Sequence, residues 1–442
     1  MKNEKFLISL NPKLPILNKN EKKVLSLLIE AASLVLPIYK LQENPKYPGA
    51  NFYPHDATKE EIEDAAKKDP EILSPFTVVE RVGGKLVAIP YHQKYAKYLK
   101  PVVDKLNQAA ELTESEDFKK LLKVRAKALT EGLYKDALIE WLEMKPYILD
   151  ISINLVDHFD DKLLRAKASY QAWVGVVDME QTKKLATFKD LIFSARREAF
   201  MPSERVENFG KVGAKMEDAV LLVGLISKTK FVGLNLPSDL KVLENHGAEI
   251  VLFKNINRLR VAEQIKPTFE RIFSRGFKSG YTEEGLVRGN LSYIALHEIS
   301  HSYLRYKNAE RNLKDLFPVI NELAATALGI RVSGSLMLKD QLTSKELESM
   351  IVAFICRSFY LTTLTERDGS LSKYAEGGVI FVNYMLENKS VQTVDGMAIP
   401  NFMKVFVSIQ ELSYLLEKLL SSGTRKDAEL FIKRFSQAVK IK

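Results

Sequence analysis

The chain is poor in cysteine, tryptophan and histidine, with one, two and six of them in 442 residues. The lone Cys356, in the apolar stretch Met350-Ile-Val-Ala-Phe-Ile-Cys, cannot form an internal disulfide; it reads as a core residue and implies no oxidising compartment. Uninterrupted apolar runs such as Ala219 to Ile226 fall far short of the ~20 residues a membrane span needs. The opening Met-Lys-Asn-Glu-Lys and the breaks at Asn11, Pro12 and Pro15 fit neither a secretory h-region nor a transit peptide, so a cytoplasmic protein is expected. Gly83-Gly84 and Gly377-Gly378 lack the phosphate-loop and dinucleotide patterns, and there is no Gly-x-Ser-x-Gly elbow. These absences argue against a nucleotide-binding protein and a serine hydrolase.

What is present is enough for a large core: 46% of residues are apolar and 27% charged. The net charge of +9 is small for this length, and both signs are interleaved, so the reading is a solvated surface with no nucleic-acid and no membrane partner. Tyr91 to Lys100 alternates Lys and Tyr, but at the spacing of an amphipathic helix. Residues 21–43 and 92–145 have helical periodicity, whereas Phe76 to Tyr91 reads as a hairpin around Gly83-Gly84. Strands are expected at Tyr147 to Val156, Trp173 to Asp178 and Glu249 to Lys254, helices at 179–198 and 211–222, and a loop over Val232 to Asp239. From about 256 onward every segment reads as helix. The expected fold class is therefore α+β and predominantly helical, with a mixed first half and an all-helical second half.

Chemistry concentrates in His297-Glu298-Ile299-Ser300-His301, inside a stretch with no Gly or Pro to interrupt a helix. Positions i and i+4 differ by ~40° around a helix, so both imidazoles project from one face and can bind a single Zn²⁺. Glu298 lies on the same side, within reach of a water at the metal, where a general base belongs. With only six histidines in the chain, such a pentapeptide is expected by chance on the order of 0.006 times. A third ligand is supplied by Glu322 in Pro318-Val-Ile-Asn-Glu-Leu-Ala-Ala-Thr-Ala-Leu-Gly329, where Pro318 is placed to start a helix and Gly329 to end it. His297, His301 and Glu322 form a His₂Glu set of the gluzincin type, one Zn²⁺ per chain, suited to peptide-bond hydrolysis with Glu298 as base. Tyr293, Tyr303, Tyr306 and Tyr374 could each donate to the tetrahedral intermediate, and spacing does not choose among them.

Several stretches, in order along the chain, give a resemblance to the dipeptidyl peptidase III family of zinc exopeptidases: Asn51-Phe-Tyr-Pro-His-Asp, Ser74-Pro-Phe-Thr-Val-Val, Gly84-Lys-Leu-Val-Ala-Ile-Pro-Tyr-His, Asp161-Lys-Leu-Leu-Arg-Ala-Lys-Ala-Ser-Tyr, Gly233-Leu-Asn-Leu-Pro-Ser-Asp and Val251-Leu-Phe-Lys-Asn. The likeness runs from about residue 50 to 390 and implies two lobes around a wide cleft. Residues 1–180 and 226–256 would form the mixed, substrate-binding lobe, and 181–225 and 257–442 the helical, zinc-bearing lobe. The family's third-ligand segment falls on Asn321-Glu322. The resemblance also implies substrate contacts at Asn235, Ser238, Asp239 and Asp157, and a transition-state residue at Tyr374. Ser238 stands where the family has Asn, Phe159 where it has Tyr, and the zinc motif has five residues in place of the usual six. The implied activity is release of dipeptides from the amino terminus of oligopeptides by a cytoplasmic monomer or homodimer. The departures leave two alternatives, an oligopeptidase or aminopeptidase without a strict dipeptide ruler, and a catalytically weak peptide-binding protein.

Overall fold

The computed structural model describes residues 4–155, 158–186, 212–237, 239–364 and 373–436. Two compact units divide the chain: Met1–Thr182 with Lys215–Phe231 and Leu236–Glu249, and Lys183–Ala214 with Val232–Asn235 and Ile250–Lys442.

In the first unit, strand β1 (Leu7–Ser9) precedes helix α1 (Lys19–Ser33), which starts with a reciprocal cap between Asn18 and Glu21. The hairpin β2 (Thr77–Val82) and β3 (Lys85–Pro90) turns through Gly83 and Gly84, both with positive φ, as two-residue loops require. Helices α2 (Ala96–Leu112), α3 (Glu116–Glu131) and α4 (Tyr134–Glu143) follow. Tyr91 and Tyr95 are buried while Lys94, Lys97 and Lys100 are exposed, so the Lys–Tyr strip is an amphipathic face.

The largest sheet has β4 (Leu149–Asn154), β5 (Gln171–Val177), β6 (Val212–Gly224), β8 (Ala248–Phe253) and β7 (Gly233–Leu236) side by side in that order, with β1 on β6. The helix expected over 211–222 is thus strand β6, and the loop expected over Val232 to Asp239 contains strand β7. Strand β6 is buried on both faces, so its apolar residues run together without the alternation that marks a half-exposed strand. Its Lys215 is buried and donates to Asp150 Oδ2 at 2.9 Å, and Trp141 Nε1 donates to Asp150 Oδ1 at 3.0 Å. After β7, α5 (Leu240–His246) is capped by Asp239. Part of the helix expected at 179–198 lies outside the described residues.

The second unit is mainly helical: α6 (Glu283–Tyr303), α7 (Phe317–Leu338), α8 (Ser344–Leu361), α9 (Lys373–Glu387), α10 (Phe402–Ser422) and α11 (Arg425–Phe435). Its all-helical expectation is corrected by the hairpin of β9 (Val391–Val394) and β10 (Met397–Pro400), turned by Asp395-Gly396. Gly329 does not end its helix either, since α7 runs on to Leu338. Cys356 is fully buried and burial pushes its thiol up, away from nucleophilic use. Two helical stretches, Lys19–Gln42 and Ala309–Leu338, have the length and hydropathy of a membrane span, but 50% and 67% of those windows are buried within the fold, as in core helices.

Candidate metal centre

Helix α6 is buried over much of its length, with Ile294, Ala295, Leu296 and Ile299 inside together with the polar Asn290, Ser300 and Ser302. Thr282 caps its start by accepting the Gly285 N–H at 3.1 Å. Helix α7 packs along it. The approach is close at Gly329, where a Cβ would lie 3.0 Å from the Leu296 carbonyl carbon and 3.2 Å from His297 N. Two turns earlier on α7, the same packing brings Glu322 opposite the two histidines.

The three side chains converge. His297 Nε2 lies 3.4 Å from Glu322 Oε2, His301 Nε2 lies 3.5 Å from Glu322 Oε1, and the two Nε2 atoms are 3.2 Å apart. One ligand atom from each falls within 4.8 Å of the others, and no other such group of three occurs among the described residues. With Nε2 facing inward, each Nδ1 is left for a supporting partner. His297 Nδ1 is 3.0 Å from Thr326 Oγ1, and His301 Nδ1 is 3.2 Å from the Asn321 side-chain amide, whose oxygen faces the ring in one of its two flip states. Helix α7 therefore supplies one potential ligand and both orienting groups.

Electrostatics separate the two glutamates. Loss of hydration pushes the Glu298 carboxyl up to about 7, with His297 pulling it down and Glu322 pushing it further up. At Glu322 the loss of hydration acts in the same sense, but the imidazoles of His301 and His297 outweigh it and hold the group well below the usual carboxylate range. The Glu322 side chain is nonetheless 60% exposed. Solvent contact is the better guide to access, so crowding by neighbouring protein does not close this ligand off from an incoming ion. The helix that carries Glu322 is largely buried, but its carboxylate is not.

Strand β7 holds Glu298 from the other side. Asn235 Nδ2 donates to Glu298 O at 2.8 Å and to Ser302 Oγ at 2.8 Å, leaving its buried Oδ1 without a partner. At Gly233 a Cβ would lie 2.5 Å from Glu298 Cγ, so only glycine leaves room for the side chain. Gly233, Thr326 and the orienting role of Asn321 were not read from the sequence. The position of Asn321 beside Glu322 was the one available signal.

Comparison with known proteins places the chain in a family. The profile of Peptidase family M49 matches residues 50–272, half of the chain. The chain belongs to peptidase family M49. Nudix hydrolase 3 of Arabidopsis thaliana is 23% identical over 425 residues, which cover 88% of this chain and 54% of that protein. The chain thus spans about half the length of the curated relative it matches. The structure of DPP III from Caldithrix abyssi superposes with a TM-score of 0.86 at 23% identity, covering 96% of this chain and 91% of that one. Dipeptidyl-peptidase III from Corallococcus sp. strain EGB gives 0.83 at 21% identity, with 97% and 90% covered. These likenesses establish the M49 chain's fold: predominantly helical, with a small sheet core.

The other expected site residues of this M49 chain fall as follows. Asp157 and Ser238 lie outside the described residues, as does the side chain of Tyr374, which belongs to the first turn of α9. The Asp239 carboxylate accepts the N–H groups of Lys241 and Val242 and pairs with Lys135 at 2.6 Å, so it is occupied in holding α5. Phe159 is 45% exposed, with its ring 6.0 Å from that of Phe231. Of the possible tyrosine donors, Tyr293 has its ring 6.5 Å from that of His297, whereas the Tyr306 hydroxyl donates to Glu417 Oε2.

Proposed function

We propose that this chain is a zinc-dependent peptidase of the dipeptidyl peptidase III type, acting on oligopeptides in the cytoplasm. The observation that carries the reading is the convergence of His297, His301 and Glu322 beside Glu298 in a member of family M49. The donor set fits zinc: two imidazole nitrogens whose other nitrogens have partners, and one carboxylate. A zinc ion held there would supply Lewis acidity toward water and the scissile carbonyl. The Glu298 carboxylate takes a proton from the attacking water and delivers it to the leaving amine nitrogen. Asn235, through its unpartnered Oδ1, accepts an N–H from the substrate backbone, and Tyr374 donates to the developing oxyanion. Asp157 and Ser238 contact the amino-terminal end of the peptide, while Asp239 acts by holding the loop before α5. In this reading the second unit carries the catalytic group together with Asn235, and Asp157, Ser238 and Asp239 belong to the first.

Two variants and a peptide panel test it. Glu298→Gln should abolish turnover with zinc retained, and His301→Ala should lose zinc; full activity in Glu298→Gln would sink the mechanism. Unmodified and N-acetylated tetra- to octapeptides, analysed by mass spectrometry with and without chelator, should give dipeptides from free amino termini alone. Cuts elsewhere would favour an oligopeptidase, a reading supported by Phe159, whose exposed ring has no hydroxyl with which to fix the substrate. Binding without any cut would indicate a peptide-binding protein.

A further inference from the structure

On one face of β4, β5 and β6 the first unit buries two acids that belong to neither the His297, His301 and Glu322 group nor the proposed substrate contacts. Asp150 of β4 pairs with Gly175 of β5, and Glu217 of β6 pairs with Val177, two residues further along β5 and so on the same face. Gly175 leaves the space between the acids open: a Cβ there would collide with Glu217 Oε2 and lie 3.0 Å from Glu217 Cδ. Glu217 thus reaches diagonally over β5 to face the Asp150 carboxyl. The two residues are 0% and 1% exposed, Glu217 the lower. Their hydrogen bonding differs. Asp150 accepts from Lys215 Nζ at 2.9 Å and from Trp141 Nε1 at 3.0 Å, whereas neither oxygen of Glu217 meets an N–H or hydroxyl donor. The charged groups that act on Glu217 are Asp150, Lys215 on its own strand and Glu249 on β8, while Arg125 of α3 lies within the field of Asp150. Among the described residues, three carboxyls therefore stand against two cations.

A buried carboxylate with no donor on either oxygen is strongly unfavourable, and a second carboxylate facing it adds repulsion. One proton removes both effects. A carboxylic acid has an O–H to donate, and Asp150 retains acceptor capacity beside its bonds from Lys215 and Trp141. We propose that Glu217 is a carboxylic acid donating its O–H to Asp150, and that this shared proton is a pH-operated latch fastening β6 to β4 across β5. Burial pushes the Glu217 carboxyl up, and the facing Asp150 pushes it further. At Asp150 burial acts in the same sense, but the charge of Lys215 and the bond from Glu217 outweigh it, so the proton resides on Glu217. Loss of the proton at alkaline pH sets two facing carboxylates against each other and opens the latch.

Above the ordinary glutamate value of 4.5 the unfolded chain releases the proton that the folded chain keeps, so stability falls as the pH rises, until the folded pair releases it too. Two measurements on the whole chain test this, and neither depends on metal or turnover. In Glu217→Gln the amide can donate to Asp150 without titrating. Denaturant titrations should therefore show the wild-type unfolding constant rising about tenfold per pH unit relative to Glu217→Gln between about pH 5.5 and 7. Infrared spectra at neutral pH should contain a carboxylic-acid C=O band that Glu217→Gln lacks and that alkali removes. A pH-independent difference between wild type and Glu217→Gln, or absence of the band, would overturn the proposal. If Glu217→Gln does not fold, the band decides in the Glu298→Gln chain, where the other raised glutamate carboxyl is gone: it must shift when glutamate carboxyls carry carbon-13, and a band that does not shift is not Glu217.

Discussion

Replacing Gly233 by alanine puts the placement of Glu298 to a direct test. The added Cβ would lie 2.5 Å from Glu298 Cγ, 2.9 Å from Cδ and 2.8 Å from Oε1, whereas carbon atoms in contact sit ~3.5–4.0 Å apart. Because Cγ is only one bond from the helix-anchored Cβ, the side chain cannot yield by moving its tip alone. Either Glu298 changes rotamer or β7 retreats by about 1 Å. Retreat would stretch the two bonds that Asn235 makes to α6, so the side chain is the softer element. A displacement of that size at a proton-transferring group costs on the order of 10²-fold in turnover. The three atoms nearest the new methyl all belong to Glu298 and none to His297, His301 or Glu322, so zinc content should be unchanged. The overpacking itself should lower stability by about 1–3 kcal/mol. Steady-state kinetics on an unblocked peptide, zinc by atomic emission and a denaturant titration report the three quantities. Wild-type kcat, or a loss of activity that only follows a loss of zinc, would refute the reasoning.

Other substitutions probe other parts of the structure. Thr326→Val removes the partner of His297 Nδ1 with little change of shape, and should weaken zinc binding about 10–100-fold in chelator competition; unchanged affinity would deny Thr326 an orienting role. Lys167, buried with Nζ on Ser74 O and Thr77 Oγ1, has its pKa lowered by burial from 10.5 to about 7. Between those values the unfolded chain binds the proton that the folded chain does not. The cost of burying this group is therefore full below pH 7 and fades as the pH rises towards 10.5. The unfolding free energy of the wild type relative to Lys167→Met should rise by about 2 kcal/mol between neutral pH and about pH 9; a flat difference would contradict a neutral Lys167. Glu417 is fully buried, lies 2.8 Å from Arg331 Nη2 and accepts the Tyr306 hydroxyl. Its contact with Arg331 is one of opposite charges, not a well-angled hydrogen bond, yet Glu417→Leu leaves that cation buried and should cost about 3–5 kcal/mol in a denaturant titration.

Which features were legible in the sequence follows from how far apart the interacting residues lie. His297, Glu298 and His301 share one helix turn, so their relation is fixed by helical geometry and could be read directly. Glu322 was reached by spacing and by family resemblance, but Gly329 was misread as a helix end. A glycine that ends a helix and one that admits a neighbouring helix look alike until the neighbour is known. Strand β6 escaped because burial on both faces removes the alternation on which strand reading depends. The hairpin of β9 and β10 had its signal in plain view, Asp395-Gly396 between Val-Gln-Thr-Val and Met-Ala-Ile-Pro. It was absorbed into the helical periodicity on either side. Gly233 could not be read at all, because what it must admit is the side chain of a residue distant in the chain.

Strand β7 shows why the missed residues matter to the chemistry. Gly233 and Asn235 are two apart on a strand and therefore share a face, here the face turned to α6. One offers an empty space to the Glu298 side chain, and the other an amide to the Glu298 carbonyl. The carboxylate is thus located through both its side chain and its backbone by a single short strand. The same amide keeps its buried oxygen unpaired, and the proposed function gives that oxygen a peptide N–H. On the proposed function, substrate positioning and base positioning would then not be separable functions of separate residues. If the proposed function holds, a change at Asn235 should move both KM and kcat in steady-state kinetics, whereas a change at Gly233 should act on kcat through Glu298.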